Sequence, residues 1–228
     1  LEFRRVLFRS TERTPPMTWL VNNWSTVLQA LWSHLALAIP AIALSFVLSL
    51  PVGWLAYRYR WSRFVLVTGS SLIYAIPSLP LLIVLPALIG TTVRSPVNVV
   101  VALTGYGMAL MVRSTADALD SVNRDTVISA TALGYSGIRR LIAVELPLAG
   151  PGLLAGLRVV SVSTMALVTV SAVLGIPSLG TLFTDGFQRG IVAEIVTGIV
   201  GTAALAVLVD RALVAIGWLL LPWTRART

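Results

Sequence analysis

From Leu35 to Tyr57 the chain runs for 23 residues without a charged side chain. A helix needs about 20 such residues to cross a hydrocarbon layer of about 30 Å. Inside that layer no water is present to pair with backbone N–H and C=O groups, so an isolated spanning segment must be helical. Further apolar stretches run from about Phe64 to Ile89, Val97 to Val112 and Leu148 to Leu174, and from Ile191 to either Val209 or Leu221. Charged residues make up 11% of the chain, against about a quarter in soluble domains. The expected fold is an all-α membrane protein with about five transmembrane helices. Before them, Met17 to Trp32 carries Trp19, Trp24 and Trp32, a composition suited to an interfacial helix at the membrane boundary.

All 17 basic residues are arginine, and there is no cysteine. A phosphate-binding P-loop requires a lysine, so the chain does not hydrolyse ATP by that route. Without cysteine there is no thiolate nucleophile, disulfide or Cys-based metal site. The net charge of +8 does not indicate nucleic acid, because the arginines are spread among loops. They fit the excess of basic residues on the cytoplasmic side of membrane proteins. If the interval Asp125 to Pro151 is cytoplasmic, Arg58, Arg60, Arg63, Arg113, Arg124, Arg139, Arg140, Arg225 and Arg227 lie inside and only Arg94 and Arg189 outside. Five spans then place the mature N-terminus outside and the C-terminus inside. The opening LEFRRVLFRS breaks this pattern and reads as a foreign leader through residue 16, with Met17 a plausible start. Residues 17–223 form the membrane domain, including a polar loop over 118–150, and residues 224–228 a basic tail.

That loop contains two expected short helices separated by a bend. Asp125 is placed to cap the first, and Gly134 to end it in the left-handed conformation. In the second, Ile138, Leu141, Ile142 and Glu145 share a face while Arg139 and Arg140 turn elsewhere. Pro147 is expected to stop it, having no N–H and a ring that crowds the preceding turn. The small residues Ser129, Ala130 and Ala132 permit close approach to a groove on another protein; an ordinary connecting loop fits the spacing as well.

With these residues the loop resembles that of the permease subunits of bacterial ABC importers, in which Glu-Ala-Ala, three residues, Gly and nine residues precede Ile-x-Leu-Pro. Gly134, Val144, Leu146 and Pro147 stand at those spacings, and Ile128-Ser129-Ala130 replaces Glu-Ala-Ala. The resemblance implies an ATPase-coupling loop containing Ser129, Ala130, Ala132, Gly134, Val144, Glu145, Leu146 and Pro147. It implies separate ATP-binding subunits that carry ATP and Mg, with no cofactor on this chain. It further implies a second permease copy or paralogue, an extracytoplasmic solute-binding protein, and a bacterial cytoplasmic membrane.

Three other stretches narrow the resemblance. Ile73 to Leu82, IYAIPSLPLL, is interrupted by Pro77 and Pro80. A broken helix at membrane depth is a candidate pathway element, although a packing kink is an equal alternative. Its Tyr-x-Ile-Pro-Ser-Leu resembles the branch that imports glycine betaine, choline and carnitine, and implies Tyr74, Pro77, Ser78 and Leu79 along the path. Arg113 to Asp120, RSTADALD, resembles that branch's segment before the loop; Arg113 is expected to pair with Asp117 one turn on. LGIPSLGTLFTDGFQRG resembles its external loop.

Remaining features are read locally. Gly152 and Gly156 form a close-packing motif. Arg158, inside the fourth span, needs a partner such as Glu145 or Asp210, or a route to the interface. His34 is expected to be an interfacial polar residue opening the first span, and Tyr74, Tyr106 and Trp54 lie too far apart in sequence to suggest an aromatic cage. The expected function is an osmoprotectant importer's permease. The alternatives are an ABC permease for another small solute such as an amino acid, a stand-alone secondary transporter, or an intramembrane hydrolase pairing His34 with Ser70 or Ser71.

Overall fold

The structure, a computed structural model, describes residues 16–223. All but the last residue of the expected leader, and the tail with Arg225 and Arg227, lie outside the described residues. Every element among the described residues is helical: α1 (Pro16–Asn22), α2 (Trp24–Arg58), α3 (Arg60–Ala75), α4 (Ser78–Ile89), α5 (Pro96–Asp120), α6 (Arg124–Ala132), α7 (Gly137–Arg140), α8 (Leu146–Val168), α9 (Gly180–Arg189) and α10 (Val192–Leu220). A π-helical turn, Leu141–Glu145, joins α7 to α8, and a 3₁₀ segment, Thr169–Leu174, extends α8.

Among the described residues, four helices are long and apolar enough to cross a bilayer: Trp24–Arg58, Pro96–Asp120, Gly137–Leu174 and Val192–Leu220. The bent pair Trp61–Ala75 and Ser78–Ile89, whose axes differ by 104°, makes a fifth if counted as one span. Helix α5 is at the centre, flanked by α2, α3 and α8. Its Val99, Leu103, Met111, Val112 and Leu119 are almost fully buried. Small residues set the closest approaches. A Cβ on Gly53 of α2 would lie 2.5 Å from the Thr115 Cβ of α5, and one on Gly156 of α8 equally close to the Ser114 Cβ. Gly152, one turn earlier, faces Ala118. The pairings Gly152 with Ala118 and Gly156 with Ser114 run in opposite directions, so α8 and α5 are antiparallel neighbours.

Several expected boundaries move. The first span starts at Trp24 instead of Leu35, so α2 absorbs most of the expected interfacial segment and leaves only the short α1, which packs on α10. His34 is consequently ten residues inside α2 and fully buried. It does not open the helix at an interface. The third span passes Arg113 and ends at Asp120, because polar side chains on its outer turns do not interrupt backbone pairing.

The largest correction is at Pro147. It does not stop a helix. From Gly137 to Leu174 the helical path is continuous over 38 residues, and the expected second loop helix is its opening segment, α7 and the π turn. Proline removes one backbone donor and crowds the carbonyl four residues back. The π turn lies directly before Pro147, and the Leu146 N–H bonds to Leu141 O, five residues back. This wider turn shifts the carbonyl register, so the helix continues.

Candidate functional site

The loop at one end of the bundle is built as follows. Asn123, not Asp125, caps α6: its side chain accepts from the Asp125 N–H at 2.7 Å, while Asp125 sits in the first turn. An acidic first-turn residue still complements the positive end of the helix dipole. Gly134 follows α6 with φ +84°, the left-handed conformation that favours glycine, and the Tyr135 N–H closes back on Ala130 O at 3.1 Å. Ala130 is the buried residue of α6, while Ser129, Ala132 and Gly134 are exposed.

This loop leaves its apolar side chains uncovered. Leu133 is 79% exposed, Ile138 68%, Ile142 62% and Ile128 57%. A cavity of about 690 Å³ lies between α6 and the bundle, lined by residues including Tyr57, Asp120, Arg124, Thr131 and Arg140. Val144, Leu146 and Pro147 are half-buried at the base of α8, and Glu145 is buried. Glu145 pairs with Arg140, whose Nε donates to Oε1 at 2.6 Å. Arg140 therefore does not simply turn away. Arg139 lies 5.0 Å from the centre of the Tyr135 ring. Nearby, Asp117 is held mainly by Arg63, at 2.9 Å, with Asp120 on the same guanidinium at 2.5 Å. The expected Arg113–Asp117 pair is present but longer, at 3.9 Å.

The second region is the break between α3 and α4. Ile76 and Pro77 are extended, with ψ of 128° and 135°. A residue before proline is pushed out of the helical region, so α3 ends there. Pro80 is in the first turn of α4, where a missing N–H leaves no helical bond unmade. In an unbroken helix the Ile76 carbonyl would accept from residue 80, which is proline. Instead the Tyr106 hydroxyl, from α5, donates to it at 2.7 Å. The Tyr74 and Tyr106 rings meet edge to face with centroids 5.9 Å apart. Two aromatics 32 positions apart in sequence thus become neighbours, and Trp54 packs in the other half of the bundle. Tyr74 and Pro77 are exposed, Ser78 and Leu79 half-buried.

Two further polar groups find partners that sequence spacing left open. Arg158 binds Asp210 through two hydrogen bonds, Nε to Oδ1 at 2.6 Å and Nη2 to Oδ2 at 3.0 Å, tying α8 to α10. His34 places Nε2 3.1 Å from Met165 O, and the Leu179 N–H donates to its Nδ1 at 3.4 Å. Met165 precedes the change from α to 3₁₀ winding, where the Thr169 N–H goes to Ala166 O, so the ring occupies a carbonyl that an α-helix would have paired. Ser70 and Ser71 instead bond to Leu66 O and Val67 O in their own helix, and the His34–serine hydrolase arrangement is absent among the described residues.

At the opposite end, Gly175 has φ +73° and approaches Arg94, while Arg189 pairs with the buried Glu194 at 2.6 Å. Ile176, Ser178 and Leu179 fold back into the bundle, nearly without exposure. Thus Arg94 and Arg189 group away from Arg63, Arg139 and Arg140.

The chain is similar to known proteins over most of its length. The description of binding-protein-dependent transport system inner membrane components matches residues 45–219. The osmoprotectant import permease protein OsmW of Salmonella typhimurium is 27% identical over 84% of this chain and 90% of its own. The glycine betaine/carnitine/choline transport system permease protein OpuCD of Bacillus subtilis is 28% identical over 89% of this chain and 86% of its own. Among solved structures, the inward-facing MetNI methionine ABC transporter aligns with a TM-score of 0.76 at 22% identity, over 91% of this chain and 99% of that one. The last similarity concerns the fold.

Proposed function

The chain belongs to the family of binding-protein-dependent transport system inner membrane components, and on that premise we propose how it is driven and what it carries. It is a permease subunit of an ABC importer, related to the osmoprotectant permeases. Its solute is a small osmoprotectant of the glycine betaine, choline or carnitine type. Support comes from the two permeases above, whose similarity extends over more than four-fifths of the chain.

Drive comes from separate ATP-binding subunits gripping the loop at α6 and α7. The observation that carries this is the set of exposed apolar side chains, Ile128, Leu133, Ile138 and Ile142, on a loop standing off the bundle. Burying such groups on a partner releases about 25 cal/mol for each Å² of apolar surface. This end is cytoplasmic, as the arginine distribution favours. The chain itself has no lysine, and therefore no P-loop with which to hold the terminal phosphates. A second permease copy or paralogue completes the path, with Tyr74, Pro77, Ser78 and Leu79 lining it, and a solute-binding protein docks at the end carrying Arg94 and α9.

The test is a reconstituted importer carrying Ile138→Glu and Ile142→Glu. Insertion of the permease should persist while solute-stimulated ATP hydrolysis and uptake are lost. Normal coupling in that variant sinks the docking role. Uptake by the unaltered importer of labelled methionine, with neither glycine betaine nor choline, sinks the assigned solute.

A further inference from the structure

We propose that Arg140 is a positioning residue that carries displacement of α6 into the transmembrane helix, by holding α6 and the π turn on a single guanidinium. The inference rests on the loop being the docking site for the ATP-binding subunits.

Two routes connect α6 to α8. One is the backbone through Leu133–Ser136, which turns at Gly134 in the left-handed conformation and has no side chain there to resist rotation. The other is Arg140. Its Nη1 donates to Thr131 Oγ1 on α6 at 2.8 Å, and its Nε to Glu145 Oε1 at 2.6 Å. Thr131 and Glu145 are thus linked across three elements by a planar group that fixes the angle between its hydrogen bonds. Packing contributes little to the first part of this route, because Ala130 is the buried residue of α6 and a cavity lies behind Thr131.

The far end of the link is placed to act. Glu145 is 1% exposed, so its carboxylate cannot readily leave Arg140 for water. It is also the last residue of the π turn, where the long helix departs from α winding, as helices often do at functional sites. A pull on α6 therefore reaches the transmembrane segment at this joint, just before Pro147.

The test uses the complete importer in lipid vesicles with its ATP-binding subunits and binding protein, reading solute moved per ATP hydrolysed alongside co-purification of the ATP-binding subunits. Thr131→Val removes the bond from Arg140, together with the hydroxyl's own bond to Val127 O within α6, and should lower that ratio about threefold, on the scale of one charge-assisted bond at a screened site. Thr131→Ser restores the hydroxyl and should restore the ratio. Arg140→Lys retains a positive charge beside Glu145 but not the planar fork, and should lower it about tenfold. Co-purification should be unchanged in all three. An unchanged ratio in both Thr131→Val and Arg140→Lys overturns the proposal, as does a loss of transport that merely follows loss of the ATP-binding subunits. The docking reading fails separately, if the Ile138→Glu/Ile142→Glu importer still couples; Arg140 fails alone if that importer uncouples while the Thr131 and Arg140 variants do not.

Discussion

Two Leu/Ile-Pro steps in this chain meet opposite fates. At Ile76-Pro77 the helix ends and the axis turns by 104°; at Leu146-Pro147 it continues, with Leu146 at φ −61° and ψ −46°. The chemistry of the proline is the same in both. At the first, the Tyr106 hydroxyl satisfies the Ile76 carbonyl, and the turn lets α4 bury Leu82 and Pro86. At the second, α8 is held along α5 by Gly152, Gly156, Ala149 and Leu153, and a π turn absorbs the mismatch. Of this pair, the proline that bends its helix is the one where another element takes up the freed backbone group and the bend buries side chains.

Deleting Ala143 should have the largest effect, because it removes the extra residue of the π turn and returns Pro147 to α register. The expected loss is about 3 kcal/mol, the scale of an interior helix proline. Thermal unfolding in detergent measures it, and Pro147→Ala added to the deletion should restore most of it. Next, Tyr106→Phe withdraws the donor from Ile76 and leaves its carbonyl without that partner, at a cost of about 1–3 kcal/mol. A fall in melting temperature with no change in helix content by circular dichroism would locate that loss at the bend.

Gly156→Leu attacks the packing that holds α8 straight. With Ser114 already at contact distance, overpacking should destabilise by about 1–3 kcal/mol, and paired spin labels on α5 and α8 should report a wider separation. The smallest effect is expected from Pro77→Ala, below about 1 kcal/mol. The bend should survive it, since Tyr106 and the burial of Leu82 remain; an unchanged label distance between α3 and α4 checks this, and a straightened helix would assign the bend to proline alone.

The spans were legible because each is a long apolar run, and Gly134 was legible because a helix end in the left-handed conformation favours glycine. Asn123 was readable too, two positions before Asp125, as a residue type that caps helices well. The burial of His34 was not, because its partners Met165 and Leu179 are more than 130 residues away. Nor were the choice of Asp210 over Glu145 for Arg158, the edge-to-face pair of Tyr74 and Tyr106, or the three-element link through Arg140. Each depends on which helix faces come together, and local spacing does not encode that.

Composition and pattern alone determined that this chain is helical and membrane-embedded, because hydrocarbon leaves the backbone no other local way to pair its polar groups. They also located every proline at which a helix could yield. At the two prolines compared, the outcome was decided by tertiary contact: the Tyr106 hydroxyl reaches the carbonyl freed at the bend, and a π turn rewinds the helix that packs along α5.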